Sequence, residues 1–124
     1  MTGEAPRAAA VRAPLYQVKA EFFRTLGHPA RIRVLELLSE RGHSAGELAR
    51  EVGIEPAHLS QQMAVLRRAS LVVSRKEGTS VHYELADPQV AQLLAVARRI
   101  LGEVLSGQAD LLADLRTHAP SARD

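Results

Sequence analysis

The 124-residue sequence contains no cysteine and no tryptophan, and only two phenylalanines and two tyrosines. Without thiols there are no disulfides, CxxC zinc sites, iron–sulfur clusters, thiolate nucleophiles or thiol redox switches. No apolar run approaches the ~20 residues of a bilayer-spanning helix, so no membrane partner is expected. The opening stretch MTGEAPRAAAVRAP lacks the apolar segment of a secretory signal, and a cytoplasmic protein is the expectation. An excess of one charge is missing too: 16 basic and 14 acidic residues leave a net +2. Bulk charge is then a weak argument for a polyanionic partner, and the placement of cations carries more. What remains is aliphatic. Hydrophobic residues make up 46% of the chain, mostly Leu, Ala and Val, which favours helices. The length suits one domain with its own core.

Residues 1–14, which include Arg7 and Arg12, have no apolar periodicity and read as a disordered basic arm; residues 119–124 read as a frayed tail. Residues 15–118 read as the folded domain. Leu15, Val18, Phe22 and Leu26 recur at helical spacing, and Gly27 stops that helix. His28 reads as a turn or cap residue before Pro29, which suits a first helical turn. Ile32, Leu35, Leu37 and Leu38 mark a second helix, ended by Gly42. Ser44 and Glu47 form a capping box for a short third helix over about 45–52, with Leu48, Ala49 and Val52 inward and Gly53 as its stop. Pro56 opens a fourth helix with Leu59, Met63, Leu66 and Ala69 inward. The period then shifts to two. Leu71, Val72 and Val73, then Val81, Tyr83 and Leu85, flank a charged turn over 74–80, giving a β-hairpin with a basic tip. Asp87 as N-cap and Pro88 in the first turn open a last helix. Its stripe is Val90, Leu93, Leu94, Ala97, Ile100, Leu101, Val104 and Leu105, and Gly107 is expected to break or kink it before Leu111, Leu112 and Leu115. The predicted order is α-α-α-α-β-β-α, a mainly α fold with one small hairpin.

The most informative stretch is GELAREVGIEPAHLSQQMAVL, residues 46–66. Ala49 is small enough for a second helix to cross close by, Gly53 suits a tight turn, and Leu59 locks the pair. This is the logic of a helix-turn-helix, and the hairpin after it supplies a wing. Residues 55–68 become the recognition helix and 72–85 the wing. Its groove face would hold Pro56, Ala57, His58, Ser60, Gln61 and Gln62, with Ser60, Gln61 and His58 as the expected base-edge contacts. Arg67, Arg68, Arg75, Lys76 and Thr79 are the expected DNA-backbone contacts. The plainer alternative is a helical hairpin with a solvated polar face. An alternative of another class is a helical protein-interaction module without DNA binding.

At this point the sequence resembles the ArsR/SmtB winged-helix repressors, through LGHPARIRVLELL (26–38), SQQMAVLRRASLV (60–72) and RKEGTSVHYEL (75–85). The likeness covers about residues 15–105. It implies a winged helix-turn-helix homodimer on a palindromic double-stranded DNA operator, with the first and last helices at the interface. Ser60-Gln61-Gln62 stands where the family commonly has Ser-His-His, so base preference is expected to differ. The apolar stripes argue for the same dimer, because a small winged-helix core cannot cover both terminal helices. Leu15, Tyr16, Val18, Phe22, Leu93, Leu94, Ala97, Ile100, Leu101 and Val104 are the expected interface, with Phe23 beside them. The alternative is that these helices complete a monomeric core.

The resemblance also implies an effector, and here the sequence departs from the pattern. The family's third-helix thiolate site falls on Glu47-Leu48-Ala49-Arg50-Glu51-Val52, which has no cysteine. Its last-helix Asp/His site falls on Asp87, Gln89, Ile100 and Glu103, where both imidazoles are gone. His28, His43, His58, His82 and His118 show no ligand spacing. No cofactor and no standard metal site is therefore expected. A separate sensor protein or a small organic molecule is the expected effector; the alternative is a nickel- or zinc-responsive repressor with a non-standard His/carboxylate site. Ser60, His58 and Glu55 do not make a catalytic triad, no phosphate loop or paired-carboxylate cleft appears, and no enzyme is expected.

Overall fold

The computed structural model describes residues 13–118, without the side chains of 117 and 118. The proposed arm with Arg7 and Arg12, the tail over 119–124 and any ligand role for His118 thus lie outside the described residues. Among those described are helices α1 (Leu15–Leu26), α2 (Pro29–Glu40), α3 (Ala45–Val52), α4 (Pro56–Arg68) and α5 (Gln89–His118), and strands β1 (His43–Ser44), β2 (Val72–Glu77) and β3 (Ser80–Leu85). The chain divides into two compact units, one ending at Pro88 and one beginning at Gln89.

Local chemistry explains the element ends of the first unit. His28 is the N-cap of α2: its Nδ1 accepts from the Ala30 N–H at 3.1 Å, and Pro29 follows in the first turn. Ser44 and Glu47 form the expected capping box of α3, with Ser44 Oγ accepting from the Glu47 N–H at 3.2 Å and Glu47 Oε1 accepting from the Ser44 N–H at 2.9 Å. Between α2 and α3 the chain is extended and adds an unexpected edge strand. β1 pairs antiparallel with β3 through His43–Tyr83 and Ser44–His82, so the hairpin becomes a three-stranded sheet in the order β1-β3-β2.

Several boundaries differ from the sequence reading. The wing strands run on through Glu77 and from Ser80, leaving a two-residue turn at Gly78-Thr79 in place of the seven-residue loop. Cross-strand pairing runs without interruption from Val72–Leu85 to Glu77–Ser80. α2 ends at Glu40, before Gly42. Ala69 is exposed at the C-cap of α4, not inward, because the helix stops one residue earlier. α5 continues through Gly107 without a break. Gly107 keeps a negative φ, and the good helix formers around it offset the ~1 kcal/mol that an interior glycine costs.

The core of the first unit joins Val34, Leu35, Leu37 and Leu38 of α2 with Leu48 and Ala49 of α3 and Leu59, Met63 and Leu66 of α4. Leu71, Val72 and Tyr83 close it from the sheet side. Complete burial of side chains such as Leu35, Leu48 and Leu59 contributes roughly 1.5–3 kcal/mol each. α4 is thereby anchored along one stripe, and the face opposite is left to solvent.

Candidate nucleic-acid interface

The turn between α3 and α4 sets the geometry. Gly53 lies at φ +78°, a left-handed conformation that costs a residue with a Cβ about 1–2 kcal/mol. There the Ala49 carbonyl accepts from both the Gly53 N–H at 2.8 Å and the Ile54 N–H at 3.1 Å. Glu55 is extended and Pro56 starts α4. With Leu59, Met63 and Leu66 buried, Pro56, Ala57, His58, Ser60 and Gln61 are all exposed, as are Arg67 and Arg68 at the far end.

Gln62 corrects the expected groove face. It is buried, and its Oε1 accepts from Arg31 Nε of α2 at 2.7 Å. The physical reason is helical spacing: Gln62 lies three residues after Leu59 and four before Leu66, on the inward stripe. Arg31 also donates from Nη1 to the Thr25 carbonyl of α1 at 2.9 Å. Periodicity counted over apolar residues alone missed this pair. A signal was present, because Arg31, Leu35 and Leu38 also share one face.

α4 ends in a paired-carbonyl stop. The Ser70 N–H bonds the Arg67 carbonyl at 2.9 Å and the Leu71 N–H bonds the Leu66 carbonyl at 3.0 Å, the Schellman pattern. The chain then enters β2 directly, bringing the wing beside α4. Arg75, Lys76 and Thr79 are exposed on it. Arg75 is held by two carboxylates, Glu77 and Glu84, and both raise its affinity for its proton. Lys76, Arg67 and Arg68 have no carboxylate partner among the described residues. Residues 55–86 hold Arg67, Arg68, Arg75 and Lys76 against Glu55, Glu77 and Glu84, and with Arg75 neutralised three cations stand free to meet an anion.

The histidines are spread over this unit. His28 and His58 lie edge to face with ring centroids 6.5 Å apart, beside the start of α4. His43 is buried, with Nε2 3.2 Å from the Leu37 carbonyl and Nδ1 3.9 Å from Glu47 Oε2. His82 sits on β3 opposite Arg75. No group of three or more His, Asp or Glu that could hold a metal occurs among the described residues. Glu47 itself is drawn down from 4.5 to about 2, first by the Ser44 backbone N–H and then by the Arg41 guanidinium at 3.2 Å.

The residues expected at a dimer interface are distributed on two helices. On α1, Leu15, Tyr16, Val18 and Phe23 are exposed, and Phe22 is half-buried against the Phe23 ring edge at 5.4 Å. On α5, Ala97, Ile100, Leu101 and Val104 are exposed and Leu93 and Leu94 half-buried; Leu105, Leu111, Leu112 and Leu115 extend the exposed row.

A helix pair joined by a glycine turn, followed at once by a β-wing, defines the winged helix-turn-helix class. A helix-turn-helix domain family matches residues 26–75. An uncharacterized HTH-type transcriptional regulator of Mycobacterium tuberculosis, Rv0081, is 57% identical over 104 residues, covering 83% of this chain and 91% of that protein. Its crystal structure aligns with a TM-score of 0.74 over 78% of this chain and 98% of that one, at 56% identity. The solution structure of Mb0332 from Mycobacterium bovis, described as a homodimeric winged helix-turn-helix DNA-binding domain and possible ArsR-family regulator, aligns with a TM-score of 0.68 at 30% identity, over 86% of this chain and 95% of that one. The repressor BigR of Xylella fastidiosa aligns with a TM-score of 0.59 at 34% identity, over 68% of this chain and 84% of that one. The chain belongs to the ArsR-type winged helix-turn-helix transcriptional regulators.

Proposed function

We propose that this regulator acts as a homodimer that represses transcription from a palindromic double-stranded DNA operator. We further propose that its DNA affinity answers to a partner protein or a small organic molecule rather than to a metal at the family's usual positions. The observation that carries the reading is the exposed face Pro56, Ala57, His58, Ser60 and Gln61, flanked by the unpaired Arg67, Arg68 and Lys76. Short and polar side chains at the start of the helix suit close approach to base edges, and the cations at its end and on the wing suit phosphates. The dimer is supported by the aliphatic rows of α1 and α5, which a second copy would cover, and by the homodimeric state stated for Mb0332. The family's metal positions carry Gln89 and Ile100 where imidazoles would be needed, which favours an organic or protein effector.

The test is an electrophoretic shift on the DNA upstream of the protein's own coding sequence, repeated at rising salt. Binding that weakens steeply with salt is expected, because each neutralised phosphate releases counterions. Absence of salt-sensitive binding would sink the DNA reading and favour a protein-interaction module. The same titration with nickel or zinc, and with proteins encoded nearby, assigns the effector. A metal effect without any partner would restore the non-standard metal site.

A further inference from the structure

Arg31 touches three helices at once. It grows from α2, donates from Nη1 to the Thr25 carbonyl in the last turn of α1, and donates from Nε to Gln62 Oε1 on α4. Both bonds leave one rigid planar guanidinium, so their directions are fixed relative to each other. Gln62 is buried and Arg31 half-buried, so the bonds are shielded from competing water. Gln62 follows directly after Ser60 and Gln61, which face solvent from the same turn. A small rotation of α4 that broke the Gln62 bond would swing those two side chains as well. At the other end, α1 carries the exposed Leu15, Tyr16, Val18 and Phe23, and a displacement of this helix would move the Thr25 carbonyl that Arg31 holds.

We propose that Arg31 is a positioning residue that couples α1 to the recognition helix, with Gln62 as its receiver, so that a partner or small molecule that shifts α1 alters DNA reading through this bridge. The proposal rests on the reading of α4 as the recognition helix. It supplies a physical element with two discrete states, bonded and released, whose balance both ends can bias. A released Gln62 would leave a buried amide oxygen unsatisfied, which favours an all-or-none change over a graded one. It also gives the buried glutamine a role that is not base contact.

The experiment uses the full chain and a duplex that the wild type selects from a random-sequence pool. Three substitutions are compared: Arg31→Met, Gln62→Leu and their combination, with Gln62→Glu as the conservative variant that keeps an acceptor for Arg31. Each single change is expected to weaken binding to the selected duplex about tenfold, the scale of one charge-assisted hydrogen bond, while binding to random-sequence duplex stays within about twofold. The double variant should be no weaker than either single, since both remove the same bridge. Gln62→Glu should stay within about threefold of wild type, because the carboxylate still receives Arg31. The proposal is overturned if Gln62→Leu loses affinity and Arg31→Met does not, if the two losses add, or if Gln62→Glu abolishes binding as a carboxylate on the DNA face would. Equal losses on selected and random duplex overturn it too. Circular dichroism checks folding; if Arg31→Met unfolds, the contrast between Gln62→Leu and Gln62→Glu decides alone. If the wild type selects no duplex, the DNA reading fails first and the bridge with it; if it selects one and the losses add, only the bridge fails.

Discussion

Ser70 occupies φ +60° where a helix usually ends on glycine. Its N–H still bonds the Arg67 carbonyl, so the stop is made despite a cost of roughly 1–2 kcal/mol for the Cβ. Replacing it by glycine removes that cost but adds roughly 0.5–1 kcal/mol of unfolded-chain freedom. Ser70→Gly is therefore expected to stabilise by about 0.5 kcal/mol, seen as a thermal midpoint a few degrees higher. Gly53→Ala should do the opposite, losing about 1 kcal/mol through the backbone alone, because no atom lies within 4 Å of the added methyl. A Gly53→Ala protein as stable as wild type would show that the turn tolerates a Cβ. On the proposed DNA face, the exposed Gln61 and Lys76 are expected to do different work. Gln61→Ala should change which duplexes are selected, whereas Lys76→Ala should weaken all duplexes alike and reduce the salt slope by about one phosphate contact. If both leave affinity and selection unchanged, α4 and the wing are not the DNA face.

Helix α3 depends on one carboxylate. Glu47 accepts the Ser44 backbone N–H and meets Arg41, and these two, in that order, hold it at about 2 instead of 4.5. The folded chain thus binds the ionised form more tightly than the unfolded chain does. Its contribution is complete above 4.5 and drains away as pH falls toward about 2. The stability gap between wild type and Glu47→Gln should be widest above that window and should narrow through it, measured as the difference in thermal midpoint. A gap independent of pH would mean that the neutral amide caps as well as the carboxylate. The cap was legible in the sequence because it is local, two side chains three residues apart. So were the glycine turn, the wing and most of the exposed face of α4, each read from spacing within one or two elements. Long-range approaches were not legible. Gly42 reads as a helix stop, yet a Cβ there would overlap His82 Nε2 and come within 2.9 Å of Glu84 Cγ, atoms some forty residues away in the chain. β1 is two residues long and exists only because β3 lies beside it. Arg31 and Gln62 are polar residues on inward stripes, and neither alone says which partner satisfies it.

In the whole molecule, a single chain leaves too much aliphatic surface in water. Leu101 is 58% exposed, Leu105 61% and Leu115 59% on α5, and Leu15 is 65% exposed on α1. Side chains of this size gain roughly 1.5–3 kcal/mol each on full burial, so a few of them covered by a second copy would hold a dimer together. The thirty residues of α5 span about 45 Å, enough for a row of such contacts along one helix. A dimer would also answer the charge question raised by a net +2, because two copies would double the three unpaired cations of the proposed DNA face. Leu101→Glu tests this in a position where the single chain already exposes the side chain, so the fold has little reason to suffer. A buried carboxylate at a two-fold interface would face its own copy or apolar neighbours, and both are costly. The variant should sediment as a folded monomer and should bind a palindromic duplex far more weakly than wild type. Its plot of affinity against salt should have about half the wild-type slope, since each phosphate contact contributes roughly 0.9 to it and one face is lost. A Leu101→Glu protein that stays dimeric with an unchanged slope would place the interface elsewhere; one that becomes monomeric with an unchanged slope would mean that a single copy makes all the DNA contacts.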